Sequence, residues 1–187
     1  MTERPPLSSA HELLRRTTSE AHSRVDALVG GGLASSEGYG IYLRGMHRFI
    51  QVSEARLAGH GVMLGVARDR LEQDLAALSF EPIRPAAPTS PEPDRVARLG
   101  WEYVVSGASV GARYLLRQAQ QLGYSAEHGA RFLAGHAGDP VWPRFLVRLA
   151  SERFTPNELD TLRDAALDAF SAAESAFKTA RQENVHG

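Results

Sequence analysis

Two places in this 187-residue chain carry residue types and spacings that could do chemistry. The first is His22, with Asp26 following at i+4 and Arg15 preceding by seven residues, all in a run of good helix formers. On a wheel of about 100° per residue for a helix from Ser9 to Leu28, the apolar stripe centres near Leu14 and Val25, and His22 falls about 80° round, at the edge of that stripe. A rise of ~1.5 Å per residue puts Arg15 and His22 about 10 Å apart along the axis, nearly in line. Such an imidazole is either a surface residue hydrogen-bonded to its acid or a functional group. The second place is Ser106-Gly107-Ala108-Ser109-Val110-Gly111-Ala112, inside a strong helical pattern. Glycine costs about 1 kcal/mol in a helix interior, and a pair at i and i+4 bares the backbone on one face. Either a neighbouring helix packs tightly there, or something flat or bulky approaches the helix axis, which can also kink. Tyr103 continues the same face at i−4 from Gly107.

These groups need helices to position them, and the chain supplies helical patterns almost throughout. The first, from Ser9 to Leu28, has Ser8 or Ser9 as N-cap and Gly30-Gly31-Gly32 as its stop. Tyr42 to Leu57 and Leu64 to Leu78 follow, interrupted near Gly59-His60-Gly61. Five prolines between residues 81 and 93 mark an irregular connector. A long helix is expected from about Asp94 to Leu122, a shorter one over Ala126 to Leu133, and another after Asp139-Pro140. The last opens at Thr155-Pro156-Asn157-Glu158, where Thr155 caps, Pro156 takes the first helical position and Glu158 completes a capping box. Its stripe runs through Leu159, Leu162, Ala166, Phe170, Ala173 and Phe177. There is no internal repeat. The expectation is an all-α fold of roughly seven helices, with residues 1–187 forming one domain.

Composition narrows the function. Apolar residues at 43% and charged residues at 23% are those of a globular chain, and a net charge of −1 argues against a nucleic-acid partner. No apolar run is long enough to span a membrane and no secretory h-region opens the chain, so a cytoplasmic location with no membrane partner is expected. The absence of cysteine excludes disulfides, thiolate metal sites, covalent c-type haem and a cysteine nucleophile. Any metal or metallo-cofactor must then be held by histidine and carboxylate. Of 21 basic residues only Lys178 is lysine, so an anionic ligand would meet guanidinium forks.

Read in order, several segments resemble one family. Leu13-Leu14-Arg15-Arg16-Thr17-Thr18-Ser19-Glu20-Ala21-His22 is similar to the proximal helix of heme oxygenases. Gly100-Trp101-Glu102-Tyr103-Val104-Val105-Ser106-Gly107-Ala108-Ser109-Val110-Gly111 resembles the distal helix of their bacterial branch. Asp74-Leu75-Ala76-Ala77-Leu78, Phe132-Leu133, Trp142-Pro143-Arg144-Phe145 and the pair Phe170 and Phe177 extend the match over nearly the whole chain. The likeness is greatest to the biliverdin-forming enzymes associated with bacteriophytochromes.

That resemblance implies a b-type haem, both substrate and cofactor, between two helices, with His22 as the iron ligand and cofactor contacts from Tyr103, Gly107 and Gly111. Arg15 is the first candidate for the propionates, with Arg144 and Arg148 behind it. It implies oxidative opening of haem to biliverdin, carbon monoxide and iron, using O2 and an external reductant such as a ferredoxin, with a bacteriophytochrome as a possible acceptor of the product. Gly107, Gly111, Ser106 and Ser109 are the expected catalytic positions. One departure stands out: Ala108 occupies the place of an aspartate that orders water in well-known members. Ser106 stands where the bacterial branch often has Glu, and Gly111-Ala112 where it often has Gly-Gly. The alternatives are a haem carrier or sensor without turnover, or a haem-free interaction protein on the same scaffold. If His22 were not the ligand, His47 or His136 would be next.

Overall fold

The computed structural model describes residues 9–30, 32–57, 64–83 and 93–184. Ser8, Gly31, the Gly59-His60-Gly61 interruption and most of the proline-rich connector lie outside the described residues. Among the described residues there is no β-strand, only one isolated bridge between Ser125 and Gly129.

The helix expected from Ser9 to Leu28 is two: α1 (Ser9–Thr17) and α2 (Ser19–Val29). Thr18 between them leaves helical geometry, at φ −99° and ψ 0°. The cause is local. Thr17 Oγ1 donates to the Leu13 carbonyl and Thr18 Oγ1 to that of Leu14, each at 2.8 Å, and such back-bonding bends helices. After a 3-10 turn at Gly32–Ala34, α3 (Ser36–Leu57) starts a turn and a half before the expected Tyr42. It is followed by α4 (Leu64–Ala77).

The long helix expected from Asp94 to Leu122 also divides, into α5 (Arg95–Gly107) and α6 (Ala112–Gln121), with turns between. Asp94 caps α5, accepting from Val96 N at 2.9 Å and Ala97 N at 2.8 Å. The helix expected over Ala126 to Leu133 instead lies at α7 (Arg131–Gly138), because residues 125–129 form a tight turn ending at Gly129, φ +79°. What starts α7 is Asp74 of α4, whose fully buried carboxylate accepts from Arg131 N at 3.0 Å and Phe132 N at 2.9 Å. Then come α8 (Val141–Ser151) and α9 (Pro156–Asn184). The capping box forms as expected: Glu158 N donates to Thr155 Oγ1 at 3.3 Å, and Thr155 N to Glu158 Oε2 at 2.8 Å.

Helix α9 is the spine. It packs against α1, α2, α3 and α5, while α8 rests on α1 and α5. Its expected stripe is buried at Leu162, Ala166, Phe170, Ala173 and Phe177, with Leu159 half-buried. Helix α5 comes backbone to backbone against it at Gly100, where a Cβ would stand 2.6 Å from the Leu162 carbonyl oxygen and 2.8 Å from Ala166 N. Those neighbours are backbone and cannot rotate away. Gly100→Ala should therefore destabilise the protein by about 1–3 kcal/mol, measured as a lower midpoint in urea at unchanged slope.

His136 on α7 lies on Phe132, ring centroids 4.4 Å apart. Burial pushes its imidazole down to about 4 from the usual 6.5, the nearby Asp139 only partly opposing. The unfolded chain then takes up a proton that the folded one refuses. This contribution is intact above pH 6.5 and is lost progressively as pH falls toward 4. Urea unfolding across that window should show a flatter pH dependence in His136→Gln than in the wild type.

Candidate functional site

His22 lies on α2 at the edge of the apolar stripe, beside buried Ala21, but its side chain is 62% exposed, more toward solvent than expected. The break at Thr18 keeps the helical register: Thr18 N donates to the Leu14 carbonyl and His22 N to that of Thr18, each at 2.9 Å, and Thr18 and Ala21 are buried on the Leu14 side. Its Nδ1 lies 2.9 Å from Asp26 Oδ2, and its ring stands edge-on to Phe170 of α9, centroids 5.8 Å apart. In the neutral ring, Nδ1–H donates to the carboxylate and the lone pair is on Nε2, which has no protein partner among the described residues. The other two candidates are differently placed. His47 is 1% exposed, with Nε2 at 3.3 Å from Glu72 Oε1, and His136 is half-buried on Phe132.

Tyr103 on α5 joins three elements. Its phenol is pushed up by burial, while the Thr18 hydroxyl and the Arg15 guanidinium lie close enough to oppose that shift. Its ring meets Trp142 and Phe145 of α8, at centroid distances of 5.5 and 6.3 Å, and His11 of α1 at 6.3 Å. His11 also stands edge-on to Trp142 at 5.7 Å. Sequence reading passed over His11. A signal existed, since His11 precedes buried Leu14 by three residues and buried Thr18 by seven.

The glycine pair does not share one face of a continuous helix. Tyr103 and Gly107 lie on α5, which ends at Gly107, whereas Gly111 opens α6 beyond the turns. Ser109 Oγ donates to the Ser106 carbonyl at 2.7 Å, and Val110 N to the Gly107 carbonyl at 3.0 Å, which closes the break. Ser106 is buried, and Ala108 and Ser109 are half-buried. No neighbouring helix presses on either glycine. A Cβ at Gly107 would meet the Trp142 ring at an ordinary 3.6 Å, and one at Gly111 would meet nothing within 4 Å among the described residues. Tight packing, the alternative reason for the pair, applies at Gly100 instead.

The arginines separate by partner. Arg15 is exposed and forms no ion pair among the described residues. Arg144 pairs with Asp139. Arg148 pairs with Glu102, a buried carboxylate of α5 that sequence reading did not single out, and lies over the Phe145 ring at 5.6 Å. No cluster of three or more His, Asp or Glu side chains that could hold a bare metal ion occurs among the described residues. A single open imidazole suits instead a metal that arrives with its other ligands, as in a porphyrin.

The fold is that of the heme oxygenases. The solved structure of the NO- and CO-bound heme oxygenase from Neisseria meningitidis matches with a TM-score of 0.74 and 28% sequence identity, over 94% of this chain and 92% of that one. No protein-family model matches the chain, nor does any curated protein sequence. No helix of the described residues is long and apolar enough to cross a membrane.

Because neither glycine at the break carries a packing contact, Gly107→Ala and Gly111→Ala should leave the ligand-free protein's stability within about 0.5 kcal/mol of wild type. Thermal and urea unfolding would check this. A loss comparable to that of Gly100→Ala would restore the packing explanation.

Proposed function

We propose that the chain, as a single domain, is a heme oxygenase that opens haem b to biliverdin, carbon monoxide and iron, using O2 and an external reductant such as a ferredoxin. The observation that carries this reading is His22, an exposed imidazole whose Nδ1 is committed to Asp26, in a chain 28% identical to a solved heme oxygenase. Bound haem supplies the activation of O2 at its iron. His22 Nε2 would hold the haem iron, and Asp26 would fix the tautomer and the ring orientation that ligation requires. Arg15 is the open cation for a propionate; Arg144 and Arg148 would each first have to leave a carboxylate.

On the other side, the bare backbone of Gly107 and Gly111 admits a flat macrocycle close to the chain, and Tyr103 with its aromatic neighbours lines the apolar flank. Ala108 contributes no carboxylate, so protons reach the reacting atoms through water held by backbone carbonyls and by hydroxyls such as those of Ser106 and Ser109. A cytoplasmic location suits a soluble reductant, and a bacteriophytochrome is a suitable acceptor for the biliverdin.

A second reading, a haem carrier or sensor, is favoured by Ala108 alone. One experiment separates them. With ferredoxin, its reductase and NADPH in air, the haem complex should lose its Soret band and gain the broad red absorption of biliverdin. His22→Ala should lose the histidine-ligated spectrum and recover it with added imidazole. A haem complex that persists unbleached, while a known heme oxygenase completes the reaction, would establish the carrier or sensor. An unchanged spectrum in His22→Ala would move ligation to another histidine.

A further inference from the structure

Two buried polar atoms on α3 have no protein hydrogen-bond partner among the described residues: His47 Nδ1 and Gln51 Oε1. They sit at i and i+4, on one face of the helix and one turn apart. The chemistry of the pair is fixed by what surrounds it. Glu72 of α4, at the rim and half in solvent, has Oε1 at 3.3 Å from His47 Nε2. A carboxylate only accepts, so the ring must carry its hydrogen on Nε2 and donate it. Nδ1 is then a bare acceptor, and the carbonyl oxygen of Gln51 is another. As oriented, Gln51 offers its carbonyl oxygen, and two acceptors do not satisfy each other; a half-turn about χ3 would instead bring the amide N–H to Nδ1.

The other charged groups here leave that assignment in place. Arg68 of α4 lies 3.8 Å from Glu72 Oε1 and is bound at 3.0 Å by Glu54 of α3 and at 3.1 Å by Asp69, so the cation is shared among three acids at the rim. Burial lowers the His47 pKa, against the opposing pull of Glu72, which keeps the ring neutral.

We propose that His47 and Gln51 bind one internal water, which donates one hydrogen to His47 Nδ1 and the other to Gln51 Oε1. Water is the small molecule with two donors on one atom, and buried waters characteristically satisfy polar groups that the chain leaves open. The chain Glu72–His47–water–Gln51 then leads from a half-exposed carboxylate to the buried side of α3, with the water as the double donor between two acceptors. This site does not depend on haem binding.

The test is nuclear magnetic resonance on the ligand-free, isotope-labelled full chain at pH 7. Long-range proton–nitrogen correlation should show His47 with hydrogen on Nε2 and an accepting Nδ1. The carbon-bound Hε1 of His47 should give a cross-peak to water with opposite signs in the laboratory-frame and rotating-frame experiments, the mark of a long-lived internal molecule. Gln51→Leu should abolish that cross-peak and leave the Nε2–H tautomer in place. A ring with hydrogen on Nδ1 or on both nitrogens would overturn the proposal, as would a wild type without the water cross-peak. So would direct scalar coupling from the Gln51 amide to Nδ1, which would mean that the side chains meet without water.

Discussion

The structure depends on how closely α5 lies against α9. At Gly100 the missing methyl is what lets the α5 backbone come down on the Leu162 carbonyl, and the α9 face that receives it is built of small residues, Ala165, Ala166, Ala169 and Ala173. A helix pair this close is stiff, because backbone meets backbone with few side chains able to rearrange. Two consequences reach the functional site. The carboxyl end of α5, with Tyr103 and Gly107, is held relative to α9. On the same stripe of α9, between Ala166 and Ala173, Phe170 stands against the His22 ring. One long helix thus positions both an open imidazole and the glycine-marked break.

Buried polar groups hold the remaining walls. Asp74 reaches from α4 to the first two amides of α7, and Glu102 ties α5 to α8 through Arg148. These interactions join elements far apart in sequence, and loss of Arg148 would leave the Glu102 carboxylate buried without its cation. Trp142 and Phe145 of α8 are thereby set against Tyr103. The exposed His22 contrasts with this rigid surround. Its own constraint is one hydrogen bond to Asp26, enough to choose the tautomer while Nε2 stays open.

Much of this was legible in the residues, and what was not has physical reasons. The start of α9 could be read from four consecutive residues, because a capping box is a local hydrogen-bond exchange. His22 with Asp26 at i+4 was equally local, and the structure brings them together as the spacing requires. The kink at Thr18 turned on two threonine hydroxyls bonding backward, which the helical propensity of the surrounding residues hid. The start of α7 depended on Asp74, 57 residues before Arg131, and no local pattern contains that partner. The glycines divided in the same way. Gly107 and Gly111 attracted notice because their spacing was regular, yet Gly100 carries the close packing, since its reason lies on α9.

The most direct measurement is a crystal structure of the protein with ferric haem bound. It should show His22 Nε2 on the iron, Asp26 still on Nδ1, and the opposite face of the macrocycle against the backbone from Gly107 to Gly111. Iron held by any other side chain, or haem seated away from the break between α5 and α6, would contradict this reading of the site.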